Sequence, residues 1–139
     1  MTTAQEFVDE VTSYRGVKFR HMGRSKVTGV DCVGLVVASM RSVGIAVEDM
    51  AQYPRFPINE IFSGMIDKQT VAVTVDSIRL GDLLKFKWTV EPQHIAVVTE
   101  VNPLRITHAY SQVGAVVTND LDTHWMRLFT EARRIPGLA

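Results

Sequence analysis

The chain contains a single cysteine, Cys32, in 139 residues. This excludes an intrachain disulfide and any zinc site built on several cysteines. It carries no net charge, because 15 basic and 15 acidic side chains cancel, so no general electrostatic pull toward nucleic acid or an anionic membrane is expected. No apolar run approaches the roughly 18 residues needed to span a bilayer; the longest candidates, residues 33–38 and 95–98, are far too short. The opening Met1-Thr2-Thr3-Ala4-Gln5-Glu6 lacks the basic region and apolar core of a secretory signal, and the protein is expected to be cytoplasmic when made. There is no internal repeat or linker. What is present, 46% hydrophobic and 22% charged residues, is the composition of a soluble globular domain, here one domain over residues 1–139.

Helical signals come first. Thr3 and Glu6 have capping-box spacing, and Phe7, Val8, Val11 and Tyr14 recur at helical intervals until Gly16. Residues 17–29 are basic and irregular and read as a loop. Asp31 can cap a second helix with a stripe of Leu35, Val36, Met40 and Val43, closed by Gly44. Residues 50–58, with Pro54 and Pro57, do not read as one regular element, and residues 59–66 read as a short helix. After Asp67 the texture turns to strands: alternating Val71, Val73 and Val75, then residues 83–88, 94–101, 105–110, 114–118 and 129–135. Helices followed by hairpin-like strands predict an α+β domain with an antiparallel sheet of five or six strands.

Asp31 as cap places Cys32 in the first turn of its helix, where unpaired N–H groups and the helix dipole favour a thiolate. Gly34 in the same turn allows another backbone to come close. A lone cysteine is equally a small buried hydrophobe. A thiol nucleophile needs a base, and imidazole has a suitable pKa. His94 opens the apolar run Ile95-Ala96-Val97-Val98, and His108 falls in the following strand, so the two can meet on one face of a sheet. Two such histidines are also satisfied by local bonds without any chemistry. His21, in the basic loop, and His124, in a polar turn before Trp125, are not expected to take part. No motif has zinc-ligand spacing, and neither metal nor cofactor is expected.

The run Gly29-Val30-Asp31-Cys32-Val33-Gly34-Leu35-Val36 resembles the Asp-Cys-Ser-Gly-Leu signature around the nucleophile of the NlpC-type cell-wall cysteine peptidases, which have a papain-like fold. Leu80-Gly81-Asp82-Leu83-Leu84 is similar to the family's Pro-Gly-Asp-Leu turn. His94-Ile95-Ala96-Val97-Val98 resembles its base strand, Ile106-Thr107-His108-Ala109 the segment with the third polar residue, and Glu131-Ala132-Arg133-Arg134-Ile135 the last strand. The resemblance implies that Cys32 attacks a carbonyl, His94 exchanges the proton and His108 orients His94. The implied substrate is a peptidoglycan stem peptide, cut between D-γ-glutamate and the diamino acid. Residues 16–23 and the basic loop before Cys32 look most like phage tail-associated and gene-transfer-particle members. That implies other tail proteins as partners and a virion tail tip as the place of use.

Three positions are assigned to the substrate side by the same resemblance: Phe19, Asp31 and Val33. Many relatives have a tyrosine where Phe19 stands, with a hydroxyl that helps at the active site, and a serine where Val33 stands. Asp31 reads as a structural cap rather than a catalyst. Residues 20–26 and 53–57 read either as rims of a cleft or as solvated loops. A thiol amidase or acyltransferase on another substrate, and a structural tail component with the same fold, are the competing expectations.

Overall fold

Local sequence signals set the two N-terminal helices. The computed structural model describes residues 1–50, 53, 59–88 and 94–139, with side chains undescribed at 59–62. Helix α1 spans Ala4–Thr12 and starts at the Thr3/Glu6 capping box, in which the Thr3 hydroxyl accepts from the Glu6 N–H and the Glu6 carboxylate from the Thr3 N–H. Helix α2 spans Cys32–Ser42 with Asp31 as its N-cap. Gly44 follows it at φ 80°, the left-handed conformation that ends helices at little cost for glycine. Helix α3, Asn59–Gln69, extends further than the sequence pattern suggests. Its lead-in, residues 50–58, falls outside the described residues apart from Met50 and Tyr53.

The sheet has six strands in the order β3-β8-β4-β5-β6-β7, all pairs antiparallel. The strands are β3 (Val71–Val73), β4 (Leu83–Phe86), β5 (His94–Val101), β6 (Leu104–Tyr110), β7 (Ala115–Asp120) and β8 (Phe129–Arg134). Three features depart from the sequence reading. Val75 leaves the expected alternation to begin a 3-10 turn, Val75–Ser77. The polar turn expected around His124 is a short helix, α4, Thr123–Leu128, capped by Asp122. The loop before the cysteine contains a two-stranded ribbon, β1 (Arg24–Ser25) with β2 (Gly29–Val30). The order is also not a simple meander, since β8 returns from the C-terminus to lie between β3 and β4.

Period-two alternation divides the strand side chains between two cores. Leu83, Ile95, Val97, Ala109 and Val116 face α1 and α2, where they meet Phe7, Val11, Leu35 and Val36. Leu84, Phe86, Ala96, Val98, Ile106 and Ala132 form the opposite core with Trp125 of α4. Lys85 belongs by alternation to the helix-covered face and is fully buried. A buried ammonium must be paired, and this one reaches Ser63 Oγ at 2.6 Å and Asp67 Oδ1 at 2.5 Å, both on α3. Arg133 of β8 also reaches Asp67, at 3.4 Å. Two cations on neighbouring strands thus fasten α3 to the sheet that carries the histidines.

Candidate active site

Cys32 opens α2 as expected, and Asp31 does more than cap it. Its Oδ1 accepts from the Gly34 N–H at 2.8 Å and from Arg24 Nη1 at 3.1 Å, while Oδ2 accepts from the Met22 N–H at 2.7 Å and from the Tyr53 hydroxyl. Arg24 in turn reaches both carboxylate oxygens of Asp49 and the Tyr53 hydroxyl. One buried carboxylate therefore joins the basic loop, the α2 start and the segment near residue 50. Arg24, read from sequence as part of a solvated or cleft-lining loop, is turned inward. With four donors on its carboxylate, Asp31 anchors the helix that Cys32 opens. Asp31→Ala should cost about 3 kcal/mol in urea unfolding, the scale for breaking a buried pair, because it strands a phenol and two backbone N–H groups and removes one of the two carboxylate partners of Arg24.

The backbone around the cysteine is packed as closely as chain allows. A Cβ built on Gly34 would lie 1.9 Å from the Gly23 carbonyl oxygen, and one on Gly23 would lie 2.2 Å from that of Gly29. The expected close approach at Gly34 is thus made by the preceding loop. Val33 has its side chain in the helix-face core and, with Ile95, lines an apolar depression between α2 and α3. Phe19 is half-buried against the same core and bridges to Val30 by its backbone. A tyrosine hydroxyl does lie behind the helix start, that of Tyr53, but Asp31 and Arg24 already engage it.

On the sheet, His94 and His108 meet as the strand pairing suggested. Val97 pairs with Thr107, so the two histidines lie diagonally across β5 and β6 on one face. His94 Nε2 and His108 Nδ1 are 2.6 Å apart. A third member, invisible in the sequence reading, is Asn119 of β7, whose Oδ1 is 2.7 Å from His108 Nε2. Four aromatic rings surround the pair. Tyr110 stacks on His108 at 5.3 Å, Trp125 meets His108 edge-on at 4.8 Å, and Trp88 and Phe86 lie 4.9 and 6.1 Å from His94. The helix α4 missed in the sequence supplies Trp125. Neither His21 nor His124 joins the hydrogen-bonded line: His21 Nε2 is bonded to the Tyr53 carbonyl, and His124 packs edge-on against Trp125 at 5.2 Å.

Burial decides the charge state of the site. It pushes the Cys32 thiol up to about 12, with the Asp31 charge adding to the rise; the N–H groups of Ile95, Val33 and Cys32 itself pull in the other direction and lose. The expectation that the helix start alone would favour a thiolate is corrected on this point. His94 is held well below its usual value of 6.5, first by burial and then by repulsion from a charged His108. Burial also lowers His108, partly offset by its bond to Asn119. At neutral pH the resting site is a neutral thiol with two neutral imidazoles.

The two lowered histidines predict acid sensitivity. Below pH 6.5 the unfolded chain binds protons that the folded chain does not, so stability falls as pH falls, by about 1.4 kcal/mol per pH unit for each histidine. The slope ends where the folded imidazoles themselves titrate. Thermal melts should therefore show the midpoint dropping on acidification from pH 6.5, and His94→Gln should flatten that drop.

A thiol at a capped helix start, sharing a small α+β domain with a buried chain of imidazoles on adjacent antiparallel strands, is the architecture of the papain-like cysteine hydrolases. The sequence profile of the NlpC/P60 family matches residues 16–134, and the chain belongs to this family. It is 30% identical over 131 residues to the "Probable endopeptidase NlpC" of Escherichia coli K12, covering 91% of this chain and 75% of that protein. It is 24% identical over 128 residues to the "Murein DD-endopeptidase MepS/Murein LD-carboxypeptidase" of the same strain, covering 92% of this chain. The match spans 61% of the length of that relative. Among solved structures, an NLP/P60 lipoprotein-like protein of Staphylococcus aureus superposes with a TM-score of 0.73 at 25% identity, over 95% of this chain and 41% of that one. RipD of Mycobacterium tuberculosis, described as a non-catalytic NlpC/p60 domain protein adapted to peptidoglycan binding, superposes at 0.66 with 18% identity over 99% of both chains. The fold is thus shared by peptidoglycan hydrolases and by a member without turnover.

Proposed function

We propose that the chain is a cysteine endopeptidase that hydrolyses the D-γ-glutamyl–diamino acid bond of peptidoglycan stem peptides. The observation that carries this reading is the buried line from His94 through His108 to Asn119, in a chain that also presents Cys32 at a capped helix start. With His94 Nε2 occupied by His108, its Nδ1 is left to exchange a proton with the thiol. Sulfur attacks the scissile carbonyl as its proton passes to His94. The Cys32 N–H contributes to holding the oxyanion. Collapse of the tetrahedral intermediate breaks the C–N bond, and His94 returns the proton to the departing amine. Water, deprotonated by His94, then releases the acyl group and regenerates the thiol.

Because the resting pair is neutral, His94 acts as a general base toward a thiol rather than as the partner of a preformed thiolate. The pH dependence follows. Activity requires unprotonated His94, whose pKa is lowered, so kcat/KM should hold level through neutral pH and fall only on the acid side of 6.5. Incubation with defined stem peptides and mass spectrometry of the products tests the reaction and the bond together. Intact peptides across pH 5 to 9 would sink the reading.

A second reading is a binding protein without turnover. It is favoured by the raised thiol pKa and by Phe19 in place of a hydroxyl-bearing residue. Such a protein would retain stem peptides in a pull-down with sacculi and leave them uncut. As to delivery, we propose use at a phage tail tip alongside other tail proteins, supported by the resemblance of residues 16–32 to tail-associated members. Mass spectrometry of purified virions from an induced source strain tests this, and absence of the chain from tails would refute it.

A further inference from the structure

The hydrogen-bond line through the two histidines has a direction, and its outer end sets it. Asn119 Oδ1 lies 2.7 Å from His108 Nε2. A carbonyl oxygen can only accept, so His108 Nε2 must carry a hydrogen. A neutral imidazole has one N–H, which leaves His108 Nδ1 bare and able only to accept. Its partner at 2.6 Å, His94 Nε2, must then be the donor and hold the single hydrogen of that ring. His94 Nδ1 is consequently bare, the state a base needs before it can take a proton.

The opposite direction is chemically complete as well. If the amide NH2 faced His108, Nε2 would accept, Nδ1 would donate, and His94 would accept through Nε2. Its one hydrogen would then sit on Nδ1, where it blocks proton uptake. Burial keeps both rings neutral and away from water, so solvent cannot readily exchange one arrangement for the other. Asn119 lies diagonally from His108 across the β6–β7 pairing, in which His108 faces Val117 and Ile106 faces Asn119, a separation that a side chain of this length spans.

We propose that Asn119 is a positioning residue that selects, through His108, the proton-accepting tautomer of His94. The inference rests on the reading of His94 as base, but its first readout does not. In wild-type protein with 15N-labelled histidine, long-range 1H–15N correlation at pH 7.5 should show the hydrogen on Nε2 of both His94 and His108. Asn119→Leu removes the acceptor and should give mixed tautomers at both rings, with kcat on a stem peptide falling at least about tenfold and KM within about twofold, as expected for a wrong-tautomer defect. Asn119→Asp supplies an oxygen acceptor of the same size and should restore the Nε2–H form and recover most of the lost kcat.

A hydrogen on Nδ1 of His94 in the wild type, or unchanged tautomers in folded Asn119→Leu, would overturn the proposal. Recovery of kcat by Asn119→Asp without recovery of the tautomer would also overturn it. If the tautomers behave as stated while no stem peptide is cut, this inference stands and the peptidase reading fails.

Discussion

Cys32→Ala should lower hydrolysis of a stem peptide by about 10⁴-fold or more, the scale set by removing a covalent nucleophile from a catalytic unit. His94→Ala should cost nearly as much, and the double variant little beyond either alone, because in the proposed mechanism the two act on the same proton. The fold should survive both changes as judged by circular dichroism, although the His94 variant opens a gap among Phe86, Trp88 and Trp125. Alkylation adds a separate check. With its thiol pushed up to about 12, substrate-free Cys32 should react with iodoacetamide slowly at pH 7 and faster as pH rises, with no neutral plateau. Rapid labelling near pH 6 that His94→Ala abolishes would mean that a thiolate–imidazolium pair pre-exists, contrary to the burial argument. Loss of only a few-fold in turnover on removing Cys32 would end its assignment as nucleophile.

Gly34→Ala should destabilise the protein severely, by about 3 kcal/mol or more, near or beyond the upper end of ordinary overpacking costs. Helix propensity alone argues for the opposite sign, since alanine is better than glycine inside a helix by about 1 kcal/mol. The geometry decides. The new methyl would lie 1.9 Å from the Gly23 carbonyl oxygen, which is backbone and cannot rotate away, 2.9 Å from Arg24 Nη1 and 3.1 Å from Asp31 Oδ1. Gly23 cannot retreat, because its own N–H bonds the Arg20 carbonyl and the loop is tied to Asp31 through the Met22 N–H. Urea unfolding of the alanine variant would read the loss directly. By contrast Gly64, whose added Cβ meets nothing within 4 Å inside α3, should tolerate alanine and gain slightly.

Local chemistry explains what could be read before the structure. Strand β5 is legible because His94 opens a continuous apolar run, Ile95 to Val98, that is buried on both sides. Helix α1 was legible because its cap is reciprocal within four residues. The meeting of His94 with His108 followed from two strands joined by a tight turn. The features that escaped depend on distant pairing. Nothing near residue 119 marks it as a partner of His108, since that contact exists only once β6 and β7 are in register. Tyr53 joins Asp31 across 22 positions and Arg24 joins Asp49 across 25, so neither shows as a periodicity. Helix α4 has six residues, less than two turns, too few for an amphipathic pattern; its one signal was Asp122 three positions before Trp125. The thiol's charge state is not legible locally for a different reason: the capping signal is local, while the burial that outweighs it comes from the whole domain.

The placement of β8 between β3 and β4 bears on when the sheet closes during folding. Among the described residues, strand β3 has no neighbour in the sheet other than β8, and β4 relies on β8 for one of its two sides. Before residues 129–134 dock, β4 has one open edge and β3 is unpaired. Arg133 is also missing from the Asp67 cluster at that stage. Open strand edges are where chains pair with one another, so the interval before β8 docks is the period of greatest exposure to aggregation.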